Sequence, residues 1–261
     1  MRLIVSLAQI DIALGNPAEN LKKADEWCAE AARRGSELIV FPEMWTTGCD
    51  WINIKTLATQ QAEVIQAVAE LAKRYKIWLN GSMLALDEND RPTNTSILFD
   101  PQGNQAGLYR KIHLFGLMNE DEHLAAGQQL TVVETSWGQS GLAICYDLRF
   151  AEMFRTYALN GVNMVYLPAE WPQPRLSHWR TLLRARAIEN QMYMIGVNRV
   201  GNDGTYTFFG HSAIIDPWGN AIVEGGETEI LLTATIETEM VAEVRQKIPV
   251  FRDRRPELYK L

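Results

Sequence analysis

Gly141-Leu142-Ala143-Ile144-Cys145-Tyr146-Asp147-Leu148-Arg149-Phe150 is the stretch that organises this chain. Small and apolar residues lead into a cysteine, and a polar, charged segment follows at once. The pattern predicts a buried strand over Gly141 to Cys145 that ends at the thiol and turns sharply toward a helix. A thiol at such a corner is presented at the rim of a sheet. The N–H groups just after it point toward whatever the thiol attacks. Cys145 is therefore a candidate nucleophile, and its activation has to come from elsewhere in the chain.

Working outward, Thr131 to Glu134 pairs with Gly141 to Cys145 around Trp137-Gly138, and Ala151 to Asn160 is a helix that Gly161 ends. Met164 to Leu167 is a strand followed by Pro168-Ala169-Glu170-Trp171-Pro172. His178 to Asn190 is a helix and Tyr193 to Asn198 a strand. Ser212 to Ile215 and Ala221 to Glu224 form a hairpin around Asp216-Pro217-Trp218-Gly219-Asn220. Ile230 to Ile236 is a strand and Glu239 to Lys247 the last helix. Residues 248–261, basic and with Pro249 and Pro256, are expected as an extended C-terminal arm. Toward the N-terminus, Leu3 to Ile10 is a strand and Ala18 to Arg33 an amphipathic helix. Glu37 to Phe41 is a strand ending at Pro42-Glu43, and Leu57 to Tyr75 is a second helix. Ile77 to Leu86, Asn94 to Phe99 and Gln105 to Tyr109 are strands, and Arg110-Lys111-Ile112-His113 opens a loop running to about Gly127. Strands and helices alternate with hairpins mixed in, which predicts an α/β fold and one domain over 1–261.

The chain has 261 residues, 47% hydrophobic and 22% charged, with a formal net charge of −7. A chain this long buries roughly three quarters of its unfolded surface and needs no disulfide or metal staple. The acidic balance argues against nucleic acid or an anionic membrane as partner, since both reward a basic face. No apolar run approaches the roughly 20 residues of a membrane span. The three cysteines are too few and too scattered for a disulfide framework, and with no secretory signal they predict a reducing, cytoplasmic location. Cys28 lies on the apolar stripe of its helix and is expected in the core. Cys49 is near Glu43 in sequence. None of the four histidines, His113, His123, His178 and His211, has metal-site spacing, so no metal and no cofactor is expected. Spacing alone leaves open a histidine beside Cys145 in the manner of cysteine proteases. Dinucleotide and phosphate loops are absent from the sequence.

Glu43, Lys111, Cys145 and Glu170 each follow an apolar strand and begin an irregular segment, where α/β proteins build their sites. A thiol with a pKa near its reference of about 8.5 is mostly protonated at neutral pH. A carboxylate can take its proton as it attacks, and an ammonium can stabilise the charge that develops. Glu43 and Lys111 supply one of each.

Phe41-Pro42-Glu43, Tyr109-Arg110-Lys111-Ile112-His113-Leu114 and Ile144-Cys145-Tyr146-Asp147-Leu148-Arg149-Phe150 resemble, in order, the three signature regions of the nitrilase, or carbon–nitrogen hydrolase, superfamily. The resemblance extends over nearly the whole chain. It includes Leu167-Pro168-Ala169-Glu170-Trp171-Pro172, the helix from Trp179 to Asn190, Gly210-His211-Ser212 and Arg254-Arg255-Pro256-Glu257-Leu258-Tyr259. It implies a four-layer αββα sandwich with Glu43 as general base, Lys111 as oxyanion stabiliser and Cys145 as nucleophile. The family's second glutamate falls on Glu120 by its seven-residue spacing to Gly127, with Glu122 the rival in the same acidic cluster. The backbone N–H of Tyr146 would be the second oxyanion donor.

The Cys-Tyr-Asp-Leu-Arg-Phe form resembles the branch of ω-amidases, which implies hydrolysis of a small carboxylated amide such as 2-oxoglutaramate to acid and ammonia through a thioester. Another hydrolase of the superfamily and a non-catalytic interaction protein on this scaffold are the competing readings. Arg149 either grips a substrate carboxylate or pairs with Asp147 or Glu152. Phe115, Trp171 and Phe208 are either pocket walls or packing residues, and Glu170 joins the substrate-binding candidates. The resemblance also implies a homodimer or larger assembly, paired through the helix after Cys145 and the arm.

Overall fold

The computed structural model describes residues 1–258. Its elements, in chain order, are β1 (Arg2–Gln9), α1 (Pro17–Arg33), β2 (Leu38–Val40), α2 (Ile54–Thr59), α3 (Gln61–Tyr75), β3 (Trp78–Leu86), β4 (Pro92–Phe99) and β5 (Gln105–Arg110). Then come α4 (Glu120–His123), β6 (Val132–Thr135), β7 (Gly138–Leu142), α5 (Ala151–Leu159), β8 (Met164–Ala169), α6 (Leu176–Asn190) and β9 (Tyr193–Asn198). The last are β10 (Val200–Asn202), β11 (Thr207–Phe209), β12 (Ala213–Ile215), β13 (Ala221–Glu224), β14 (Ile230–Glu237) and α7 (Met240–Lys247).

Two six-stranded sheets carry the fold, ordered β14-β1-β2-β3-β4-β5 and β6-β7-β8-β9-β12-β13. Each has an antiparallel edge strand, then three parallel strands, then two antiparallel ones. The parallel strands need crossovers, which α1 and the α2–α3 segment provide in the first sheet and α5 and α6 in the second. Period-two alternation decides what each sheet face covers. Leu3, Val5, Leu7, Leu38 and Val40 enter the layer shared with the second sheet, together with Leu142, Tyr166 and Val197. Ala8, Ile10, Ile39 and Phe41 face α1 and α3 through Ala24, Cys28, Val68 and Ala72. Trp179, Leu183 and Ala187 of α6 and Phe154 of α5 cover the far face of the second sheet. The layers are helix, sheet, sheet, helix: the expected αββα sandwich.

Local differences from the sequence reading have physical causes. The ladder of β7 stops at Leu142, three residues before the thiol, and Cys145–Arg149 is a turn of 3-10 helix. Apolar Ala143 and Ile144 remain buried but lie outside the strand's pairing register. The helix expected from Leu57 starts earlier and breaks at Gln60, giving α2 and α3. β8 runs through Pro168, and α6 begins at Leu176 rather than His178. β10 and β11 are additional strands; they pair with each other and make single bridges to Asp11 and Pro172. The start of the arm docks on the second half of the fold: the Gln191 side-chain amide donates to the Ile248 carbonyl at 2.7 Å, and Arg155 and Arg245 stack on Phe251. Pro256–Leu258 is a 3-10 turn, and residues 259–261, with Tyr259, lie outside the described residues. Cys28 is fully buried, and burial pushes its thiol far up, as a core residue.

Candidate active site

Four strand ends meet at one place. Phe41-Pro42-Glu43 leaves β2, Lys111 follows β5, Cys145 follows β7 across two residues, and Glu170 follows β8 directly. Cys145 has φ of 44°, a left-handed conformation that L-residues seldom adopt and that forms the sharp corner read from the sequence.

Lys111 lies between two carboxylates. Its Nζ donates to Glu43 Oε1 at 2.7 Å and to Glu120 Oε1 at 2.6 Å, and all three residues are no more than 2% exposed. Glu122 is exposed, so the glutamate on Lys111 is Glu120. Glu120 Oε2 accepts from the Phe115 N–H at 2.9 Å. Glu43 Oε1 also accepts from the Asn94 amide at 2.7 Å, and its Oε2 accepts from the Glu170 N–H at 2.7 Å. Gly127 fixes the lysine loop, because its N–H donates to the Lys111 carbonyl at 2.8 Å and an added Cβ would lie 2.1 Å from the Arg110 carbonyl oxygen.

The electrostatics follow from burial. Desolvation would push the Lys111 ammonium down, but Glu120, Glu43 and the Cys145 thiol hold its pKa well above the usual lysine range. Burial raises the Glu120 carboxyl against the opposing pull of Lys111. Burial, and then the neighbouring Glu43 carboxylate, push the Cys145 thiol up despite Lys111. The resting sulfur is a thiol, so attack by it requires proton removal in the same step, and Glu43 is the adjacent acceptor.

Asp147 joins the lysine loop to the cysteine corner. Its Oδ2 accepts from the Tyr109 hydroxyl and from the Ile144 N–H, each at 2.8 Å. Its Oδ1 accepts from the His113 N–H at 3.2 Å and lies 2.7 Å from His113 Nδ1. Those partners flank Lys111 on both sides and precede Cys145. His113 is thus a brace, stacked on Phe150 with centroids 3.6 Å apart. With Asp147 so engaged, Arg149 does not pair with it. The Arg149 guanidinium instead stacks on Trp171 at 4.7 Å, with Nη2 3.4 Å from His178 Nδ1.

A narrow cleft opens over the thiol, lined by Phe115, Tyr146, Arg149, Glu170, Trp171 and Arg175 beside Cys145. Every candidate binding residue but Phe208 is there; Phe208 is buried under the Arg199 guanidinium, 4.4 Å away. Arg175, stacked on Phe115 at 5.8 Å, and Asn94 are site residues the sequence did not single out. Arg175 follows Pro174 in a loop and Asn94 lies within β4, so no local pattern marks either. Two guanidiniums in a small cleft over a thiol suit an anionic substrate.

Cys49 lies within reach of the same charges: burial first, then Glu170, Glu43 and Glu120, push its thiol well up. Among the described residues, no group of three or more His, Cys, Asp or Glu is arranged to hold a metal, and no helix is long and apolar enough to cross a membrane.

The carbon-nitrogen hydrolase family model matches residues 4–246. The chain is 41% identical to a 2-oxoglutaramate amidase of Bacillus subtilis (strain 168) over 260 residues, 99% of this chain and 100% of that one. It is 31% identical to the human omega-amidase NIT2, over 97% of this chain and 96% of that protein. Among solved structures, Saccharomyces cerevisiae Nit3, a member of branch 10 of the nitrilase superfamily, superposes with a TM-score of 0.89 at 29% identity, covering 97% of each chain. The chain belongs to the carbon-nitrogen hydrolase family, and its α/β sandwich is that of the nitrilase superfamily.

Proposed function

We propose that the protein is an ω-amidase that hydrolyses the terminal carboxamide of a small carboxylated amide, 2-oxoglutaramate first among them, to the acid and ammonia. The observation that carries this reading is the Lys111 ammonium held between Glu43 and Glu120 beside Cys145, under a cleft with two guanidiniums. The amidase relatives support the substrate class.

In this reading Cys145 attacks the amide carbon while Glu43 takes the thiol proton. Lys111 and the Tyr146 N–H hold the developing oxyanion, a kind of contact worth roughly 3–4 kcal/mol in the transition state. Glu43 returns the proton to the leaving nitrogen, and ammonia departs from a thioester. Water, activated by Glu43, then releases the acid. Glu120 orients Lys111, Arg149 takes the substrate's far carboxylate, and Phe115 and Trp171 wall its carbon chain. The steps use protein groups alone, without metal or cofactor. The three free cysteines suit a cytoplasmic setting. Exposed Leu159, Ile188 and Ile248 support pairing of two copies. Sedimentation at micromolar concentration as a monomer would contradict that pairing.

The test is kcat/KM across 2-oxoglutaramate, a neutral amide of the same length, a nitrile and an N-carbamoyl compound. The carboxylated amide is expected to lead. A nitrile or carbamoyl compound turned over faster would replace this reading with another activity of the family.

A further inference from the structure

Glu170 is a buried carboxyl group that the steps above leave unused. It is 1% exposed and lines the cleft beside Cys145, and its own N–H donates to Glu43 Oε2 at 2.7 Å. Its Oε1 is 3.4 Å from Arg199 Nη1. Arg199 cannot move closer to serve it, because its Nη2 is held by Asp11 Oδ1 and the Ile12 carbonyl, each at 3.0 Å. Glu170 Oε2 is buried and has no hydrogen-bond partner among the described residues. The Cys49 thiol hydrogen-bonds to the same carboxyl, but as a weak donor it leaves room for a stronger partner. An orphaned buried oxygen costs free energy, so a polar atom in the cleft that pairs with it gains that energy back.

The reaction requires such an acceptor. A hydrolytic water beside the thioester gives one hydrogen to Glu43, and its second hydrogen is held best by a fixed acceptor in the cleft. Both Glu120 oxygens already have a donor, Oε1 from Lys111 and Oε2 from the Phe115 N–H, whereas Glu170 Oε2 has none. Asn94 Oδ1 is also unpartnered, but Asn94 is not among the cleft-lining residues. We propose that Glu170 Oε2 holds the hydrolytic water against Glu43, so that Glu170 serves the second half of the reaction. This rests on the amidase reading above. In that half, the water oxygen bonds to the thioester carbon as one proton passes to Glu43. The carbon–sulfur bond breaks, and the sulfur takes that proton back. The second hydrogen leaves with the carboxylic acid product, which then ionises.

E170Q tests this. Arg199 faces the Oε1 position and selects the amide oxygen there, which turns an NH2 donor toward the water in place of the acceptor. With 2-oxoglutaramate at pH 8, where wild-type Glu170 is ionised, ammonia released in the first turnover is expected to keep its wild-type rate. Steady-state kcat is expected to fall on the order of 10²-fold. A rapid acid quench should then show the acyl adduct on Cys145 by intact mass, and hydroxylamine should speed turnover of the variant. Unchanged kcat, or an equal slowing of the ammonia burst and of kcat with no adduct, overturns the proposal. If E170Q does not fold, E170A is read by the same burst and adduct. A wild-type enzyme that releases ammonia from no amide overturns instead the reading beneath it.

Discussion

Glu43 and Glu170 occupy the same station in the two sheets. Each follows the middle of three parallel strands, β2 in one sheet and β8 in the other, and each is 1% exposed. Their surroundings differ sharply. Glu43 accepts hydrogen bonds from Lys111, Asn94 and the Glu170 N–H. Glu170 has one long contact to Arg199 and a free oxygen. Burial, only partly offset by Arg199, therefore raises the Glu170 carboxyl to about 7. The comparison teaches that burial alone does not define a base. Hydrogen-bond donors and a cation satisfy one buried carboxylate, and their scarcity leaves the other with an oxygen short of a partner.

The strongest way to break the comparison is to remove the cation. K111M leaves Glu43 and Glu120 buried without their shared ammonium, which is expected to cost about 3–5 kcal/mol of stability and to abolish ammonia release. Denaturant titration and a turnover assay check both. E43Q keeps the shape but not the base, and first-turnover ammonia release should fall on the order of 10³-fold. E170Q is expected to spare that step, so equal effects of the two substitutions on the burst would erase the distinction.

The next effect is on stability and pH. The folded pKa of Glu170, about 7, lies above the ordinary carboxyl value of 4.5, so the folded protein holds this proton more tightly than the unfolded chain. The contribution is full below pH 4.5, is lost as pH rises toward 7 and levels off above it, up to about 3 kcal/mol in all. E170Q removes this dependence. Its melting temperature relative to wild type should rise between pH 5 and pH 8, measured by calorimetry; a constant difference would mean that Glu170 has its proton in the ordinary carboxyl range. The smallest expected effect sharpens the description of Glu43. N94A removes one donor from it and should slow the ammonia burst by about tenfold, equivalent to about 1.4 kcal/mol.

The sequence made one side of the comparison legible and left the other obscure. Glu43, Lys111 and Cys145 stand just past apolar runs in segments with a family pattern, so chain order alone brought them together. The alternation of strands and helices likewise declared an α/β fold, while its division into two sheets came from the family resemblance. What local pattern does not encode is partnership across the fold. Asn94 reaches Glu43 from 51 residues away, and Asp147 reaches Tyr109 from 38. Arg149 had two open roles because helical spacing does not say that Asp147 is already occupied. The end of β7 was misplaced because Ala143 and Ile144 stay buried after the ladder stops. β10 and β11 are three residues each, with Gly201 at a φ of 91° inside β10, too short for any periodicity to register.

The central claim is that Cys145 is the nucleophile of an amide hydrolysis. C145A, which removes only a buried sulfur, tests it most directly against 2-oxoglutaramate. The account predicts a folded protein with a melting temperature near wild type and no ammonia above the uncatalysed rate. Ammonia release by C145A at the wild-type rate would contradict it.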